Sequence, residues 1–163
     1  MKKIIVYEMS FDGTPEPPAD VLCVPFQKKY WNAYMQIYNA CFYEMRKDLE
    51  IEPFNFYSDY SQMKDKTDHT FLHLRDGIII GAVSCYGNEI DDLIVNKAFQ
   101  RQGFGQKLLL WGMNHIKERG YDEIILHVAE WNQNAISLYL KTGFHICKKS
   151  SFARLRDPLR GLG

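Results

Sequence analysis

The segment from Glu89 to Arg119 restricts the fold more than any other part of the chain. Ile90-Asp91-Asp92-Leu93-Ile94-Val95 reads as a strand, and Gln106 to Arg119 reads as a helix. Between them stands Gln100-Arg101-Gln102-Gly103-Phe104-Gly105. A glycine-bearing turn that hands a strand to a helix points several backbone N–H groups at one spot. The positive end of the helix dipole lies there too, so the turn is a ready anion site. A Cβ would block both the positive-φ conformations such a turn needs and the close approach of a phosphate. The same turn also reads as a plain helix start, and alone it leaves the two readings open. A Walker A loop is excluded, because Gly105 is followed by Gln106-Lys107-Leu108 rather than Gly-Lys-Ser/Thr.

The rest of the chain supplies the sheet around this unit. A short strand opens the chain, and Ser10 to Asp20, with Pro15, Pro17 and Pro18, is an exposed connector. Val21 to Phe26 is a strand. From Gln27 to Leu49, Tyr30, Tyr34, Ile37, Tyr38, Cys41, Phe42 and Met45 recur at helical spacing, which predicts a long amphipathic helix. A shorter helix is expected near Ser58 to Lys66, after Pro53. Thr70 to Leu74, Ile78 to Tyr86 and Glu89 to Val95 are strands joined by hairpin turns at Asp76-Gly77 and Gly87-Asn88. After the turn helix and Gly120 come a strand at Glu123 to Ala129 and a helix at Asn134 to Thr142 with Gly143 as its C-cap. A last strand begins at Phe144 and runs to Ser150. Ser151 to Gly163, with Arg154, Arg156 and Arg160, continues the strand into a tail or forms an interface element. The sum is one α/β domain with a mixed sheet, antiparallel hairpins first and helical crossovers afterwards. A dinucleotide-binding fold is excluded by that order and by the missing third glycine.

Composition removes several partners. The 163 residues suit one domain, and 46% hydrophobic with 25% charged residues is ordinary for a soluble protein. Lys+Arg and Asp+Glu balance at 20 each, which argues against a nucleic-acid or anionic-membrane binder. The apolar start stops at Glu8, and no segment approaches the ~20 apolar residues that span a bilayer. Cys23, Cys41, Cys85 and Cys147 are scattered and read as reduced thiols of a cytoplasmic protein. His69 and His73 stand four apart, but on a strand and without a Cys or carboxylate at ligand spacing, so no metal is expected.

Gln100-x-x-Gly103-x-Gly105 after a strand, followed by Asn132-x-x-Ala135-x-x-x-Tyr139-x-x-x-Gly143-Phe144, resembles the GNAT superfamily of acetyl-CoA-dependent N-acetyltransferases. The two motifs cover residues 89 to 145, and the element order fits the whole chain. The resemblance implies a single GNAT-like domain over 1–163, with an acceptor-side half at 21–88 and an acyl-CoA core at 89–145. It implies a central, mostly antiparallel mixed sheet flanked by about four helices. Acetyl-CoA would be the acyl donor and an amine the acceptor, with no metal; homodimers are common in the family. The turn amides from Arg101 to Gln106, spanning Gln102, Gly103, Phe104 and Gly105, would hold the pyrophosphate, with the Arg101 guanidinium beside it. Pantetheine amides would pair with an open strand edge at Leu93-Ile94-Val95, opposite Leu126-His127-Val128. Asn132 would fix the pantetheine arm, though it also reads as a helix cap, and Ala135 belongs to the same motif.

Amine attack on a thioester builds an oxyanion and expels a thiolate. Tyr139 stands where the family commonly places a tyrosine to donate to that sulfur; a mid-helix Tyr also serves as plain core. The base is open among Glu89, His127 and a water relay. Glu89 has the separation from Gln100 seen for the glutamate base of protein-lysine acetyltransferases in this superfamily. His127 stands where ribosomal-protein N-terminal acetyltransferases carry a glutamate. By alternation Glu89, Asp91, Leu93 and Val95 share one face, and Asp92 points with Ile90 and Ile94. In the family, the segment after the first helix walls the acceptor site. Here that segment, Tyr43 to Tyr60, carries Glu44, Asp48, Glu50, Glu52 and Asp59 interleaved with Phe54, Phe56, Tyr57 and Tyr60. An acidic, aromatic wall suits a cationic amine; the same residues also read as packing and solvated helix ends. A non-catalytic acyl-CoA-binding module is the alternative to an enzyme.

Overall fold

A computed structural model describes residues 3–18 and 20–152. In chain order these form β1 (Ile4–Phe11), β2 (Cys23–Pro25), α1 (Trp31–Asp48), β3 (Thr70–Arg75), β4 (Ile78–Tyr86) and β5 (Glu89–Val95). Then come α2 (Phe104–Glu118), β6 (Ile124–Ala129), α3 (Gln133–Thr142) and β7 (His145–Phe152). The strands make one sheet in the order β2-β3-β4-β5-β6-β1-β7. Only β5 and β6 run parallel; every other neighbouring pair is antiparallel.

The amphipathic helices cover the two faces of this sheet. Tyr34, Tyr38, Phe42 and Met45 of α1 pack over Leu72, Ala82 and Ile94. Leu109, Met113 and Ile116 of α2, with Ile136 and Tyr139 of α3, pack over Val83, Ile90, Leu126 and Val128 on the other face. Asp76 (φ 52°) and Gly77 (φ 76°) both adopt the left-handed conformation, the backbone a tight hairpin needs between β3 and β4.

Local differences from the expected elements have local causes. The expected helix near Ser58 to Lys66 is a 3-10 turn at Tyr60–Met63, followed by another at Thr67–His69. Asp59 and Gln62 form a capping box that starts the first turn, but Lys64 is extended (φ −53°, ψ 132°) and ends it. Among the described residues three α-helices, rather than about four, therefore flank the sheet. β1 runs on to Phe11, into the expected connector, because Ser10 and Phe11 pair with Ile125 and Ile124. The strand expected at Val21 to Phe26 keeps only Cys23–Pro25. Residues 153–163, which hold Arg154, Arg156 and Arg160, lie outside the described residues.

Two irregularities in β5 position the site. Val83 pairs with Leu93 and Cys85 with Ile90, so Asp91 and Asp92 together oppose Ser84 in a β-bulge. The extra residue breaks alternation: Ile90 joins the α2-side core and Ile94 the α1-side core. Asp92 therefore does not share a face with both, as alternation alone predicts. The second irregularity is a gap. β5 and β6 pair only at Glu89–Ile125 and Ile90–Leu126, then separate.

Candidate active site

The turn after β5 uses two left-handed residues, Arg101 (φ 64°) and Gly103 (φ 84°). The second is the N-cap of α2, where a left-handed backbone favours glycine. Gly105 is different. A Cβ built there would meet Leu138 Cδ2 at 3.7 Å and Val95 Cγ2 at 3.9 Å, ordinary contacts. The protein itself leaves room for a side chain at Gly105, which lines a cavity.

That cavity holds about 460 Å³. Its walls are the C-terminal half of α1, including Cys41, Glu44 and Met45, the end of β5, the glycine turn and the first turns of α3. Of the residues expected to hold acetyl-CoA, Leu93, Ile94, Val95, Gln100, Arg101, Gly103, Phe104, Gly105, Asn132, Ala135 and Tyr139 line it. Gln102 and Gln106 lie beside it without lining it. Gln100 fixes the turn in place, since its Nε2 donates to Val95 O at 3.0 Å and ties the turn to the strand end. Cys41 Sγ reaches the same carbonyl at 3.2 Å. Asn132 Oδ1 accepts from Ala135 N at 3.1 Å, so the cap reading of Asn132 holds alongside its place on the cavity wall.

Tyr139 is 2% exposed, in the middle of α3, and reaches the same cavity. Burial pushes its phenol well above the usual tyrosine range, and the nearby charge of Asp92 adds to this. The hydroxyl keeps its proton at neutral pH and is a donor. Asp92 is half-buried, with its Oδ1 covered and without a hydrogen-bond partner. Burial raises its carboxyl well above the usual range, Asp91 adds to the rise, and Lys66 and Arg46 oppose it.

Glu89 and His127 do not line the cavity. They sit where β5 and β6 still pair, and they bind each other: His127 Nδ1 lies 3.0 Å from Glu89 Oε2. On the other side His127 Nε2 lies 3.0 Å from Oε1 of Glu8, its cross-strand partner on β1. The hydrogen bond to Glu89 is the largest cause raising the His127 pKa; burial works against it, and the Glu89 charge and Glu8 add to the rise. Glu8 escapes sequence reasoning because 119 positions separate it from His127 and no local pattern marks it.

In the segment from Tyr43 to Tyr60 the aromatic and acidic parts go separate ways. Tyr57 is buried, with its ring centroid 4.6 Å from Tyr38. Arg46 lies 4.7 Å over Phe56, and Lys66 lies 5.2 Å over both Phe56 and Tyr57. The protein's own cations thus lie over aromatic faces that an amine would use. Glu44, Asp48, Glu50, Glu52 and Asp59 are exposed; Asp48 accepts from Trp131 Nε1 at 2.9 Å, and Glu44 lines the cavity. Among the described residues no cluster of His, Cys, Asp and Glu is arranged to hold a metal ion.

The chain is similar to known acetyltransferases at every level of comparison. The family model for the Acetyltransferase (GNAT) family matches residues 31–144. N-alpha-acetyltransferase 30 of Schizosaccharomyces pombe is 28% identical over 133 residues, covering 76% of this chain and 83% of the relative. Mycothiol acetyltransferase of Thermobifida fusca is 34% identical over 73 residues, 45% of this chain, and the match spans only 20% of that protein. A GNAT-family acetyltransferase structure from Colwellia psychrerythraea superposes with a TM-score of 0.70 at 13% identity, over 93% of this chain and 56% of that one. With its sheet, its splayed strands and its glycine turn, the chain belongs to the GNAT family of acetyltransferases.

Proposed function

We propose that the protein transfers an acetyl group from acetyl-CoA to a primary amine. One observation carries this reading: a single cavity is lined by the glycine turn, by the edge of β5 where the sheet opens, by Asn132 and by the buried Tyr139. Gly105, whose missing side chain the protein could accommodate, supports close approach of a phosphate there. Acetyl-CoA supplies an activated acetyl carbon and a thiolate leaving group. The turn amides and Arg101 hold its pyrophosphate, and the Tyr139 hydroxyl holds a proton for the departing sulfur. A carboxylate oxygen stands 3.0 Å from each His127 ring nitrogen, and the imidazolium that this geometry favours has no lone pair with which to take a proton from the amine. Glu89 is therefore favoured over His127 as the base, with a water relay as the alternative.

The relative that matches along most of its length is named for N-alpha acetylation, which supports a peptide α-amine as acceptor. The cations over Phe56 and Tyr57 weaken the case for a small cationic acceptor stacked on those rings. All four cysteines are free thiols, and no described helix is long and apolar enough to cross a membrane; both fit a cytoplasmic enzyme. Thermal shift with acetyl-CoA, CoA and unrelated nucleotides tests the donor, because selective binding raises Tm by mass action. Release of free CoA with peptides, polyamines and aminoglycosides then tests transfer. Selective binding without release for any amine would instead support a non-catalytic module.

A further inference from the structure

The contact among Glu8, His127 and Glu89 joins β1, β6 and β5 at the point where β5 and β6 part. A carboxylate oxygen stands 3.0 Å from each ring nitrogen. Both contacts attract only when both nitrogens carry protons, so the geometry favours imidazolium. If the ring loses one proton, one carboxylate faces a lone pair and the bridge opens on that side. With Glu8 in place, a carboxylate faces each ring nitrogen, which favours the doubly protonated ring, and Nδ1–H grips Glu89 as a charge-assisted donor. Without Glu8, the ring loses a proton more readily, loses its anchor at Nε2 and keeps at most an uncharged hydrogen bond to Glu89. Glu8 thus sets, from 119 positions away, how firmly the Glu89 carboxylate is held.

We propose that Glu8 is a positioning residue for acetyl transfer: through His127 it holds Glu89 in the orientation that takes the ammonium proton of the acceptor. The role rests on the N-acetyltransferase reading. In the step it serves, an N–H bond of the ammonium breaks, an O–H bond forms on Glu89, and the proton leaves Glu89 for water. The charged and titratable groups around the bridge come from each packed element. β5 contributes Asp92, whose carboxyl feels the charge of Glu89 and, more strongly, those of Asp91, Lys66 and Arg46. β7 contributes Lys148, opposite Glu8 in register, and Cys147, whose Sγ lies 3.4 Å from Glu8 Oε2. The ring itself contacts only Glu8 and Glu89 among these groups.

Glu8→Gln keeps the shape and removes the charge, and Glu8→Asp restores the charge on a shorter arm. In Glu8→Gln, kcat with an amine acceptor should fall at least fivefold near pH 8, with the basic limb of the pH profile moved to lower pH. The KM for acetyl-CoA should stay within twofold of wild type, and Glu8→Asp should recover part of kcat. NMR titration of the histidine ring signals should show His127 losing its proton at lower pH in Glu8→Gln than in wild type. Superposable pH profiles would overturn the proposal, as would a kcat loss matched by an equal loss of acetyl-CoA affinity. A wild-type His127 that titrates at or below its ordinary 6.5 overturns it without any variant. A wild-type protein that releases no CoA with any amine brings down the function and the role together. An active wild type with an unaltered Glu8→Gln brings down the role alone.

Discussion

Tyr139 and Asp92 are pushed in the same direction by burial, with opposite consequences. A phenol raised by burial stays neutral, the form it prefers, and remains a proton donor beside the cavity. Tyr139→Phe should lower kcat by more than tenfold while acetyl-CoA affinity, read by calorimetric titration, changes less than twofold. Unchanged turnover would remove Tyr139 from the mechanism. A carboxyl raised by burial is costly when charged, so Asp92 destabilises the fold at neutral pH. Its folded pKa lies above the ordinary 3.8, so any stability it contributes exists below that value and is lost as pH rises through the folded one. Asp92→Asn should therefore raise Tm at pH 7, by a few degrees if roughly 1 kcal/mol is recovered, and the gain should vanish toward pH 3.8. A thermal melt series across pH checks it; an Asn variant less stable at pH 7 would show that the charge is compensated. Tyr139 was legible because Asn132, Ala135 and Gly143-Phe144 frame it at fixed spacing. The covered Oδ1 of Asp92 was not, since a bulge that no residue type announces turned it.

Among the elements, the glycine turn and the core glycine of β4 separate ligand from packing. Gly105 has room for a methyl group, and alanine is the better helix former by about 1 kcal/mol. Gly105→Ala should leave Tm equal or slightly higher and weaken acetyl-CoA binding several-fold; equal affinity would show that nothing approaches Gly105 closely. Gly81 is the converse. A Cβ there would stand 2.6 Å from the backbone oxygen of Ile94 and 2.5 Å from Leu108 Cδ1, so β5 or α2 must shift. Gly81→Ala should lower Tm, since overpacking typically costs about 1–3 kcal/mol and each kcal/mol is worth about 2–4 °C in a domain of this size. The hairpins were legible at Asp76-Gly77 and Gly87-Asn88 because their turn chemistry is local. The helix expected near Ser58 was not there, because a good start at Asp59 says nothing about the extended Lys64 that ends it. The parting of β5 and β6 was legible only through family resemblance; no residue pattern in either strand encodes it.

For the molecule as a whole, the His127 bridge makes stability depend on pH. It binds the fifth and sixth strands to the first, which the sheet inserts between β6 and β7 after β2 to β6 have run in chain order. Its contribution belongs to the global fold rather than to one hairpin. The folded pKa of His127 is raised, chiefly by the hydrogen bond to Glu89. The protonated ring thus stabilises the native state fully below its unfolded value near 6.5, and that stabilisation is lost as pH rises through the folded value. Other groups also titrate with stability, Asp92 among them, so the wild-type curve alone does not isolate the ring. His127→Gln keeps one donor and removes the titration. The difference in Tm between wild type and His127→Gln should be largest below pH 6.5 and should shrink steadily as pH rises above it. A difference that stays flat from pH 5.5 to 9 would mean that the bridge does not hold the proton its geometry demands, and the three strands would then be joined by their backbones and cores alone.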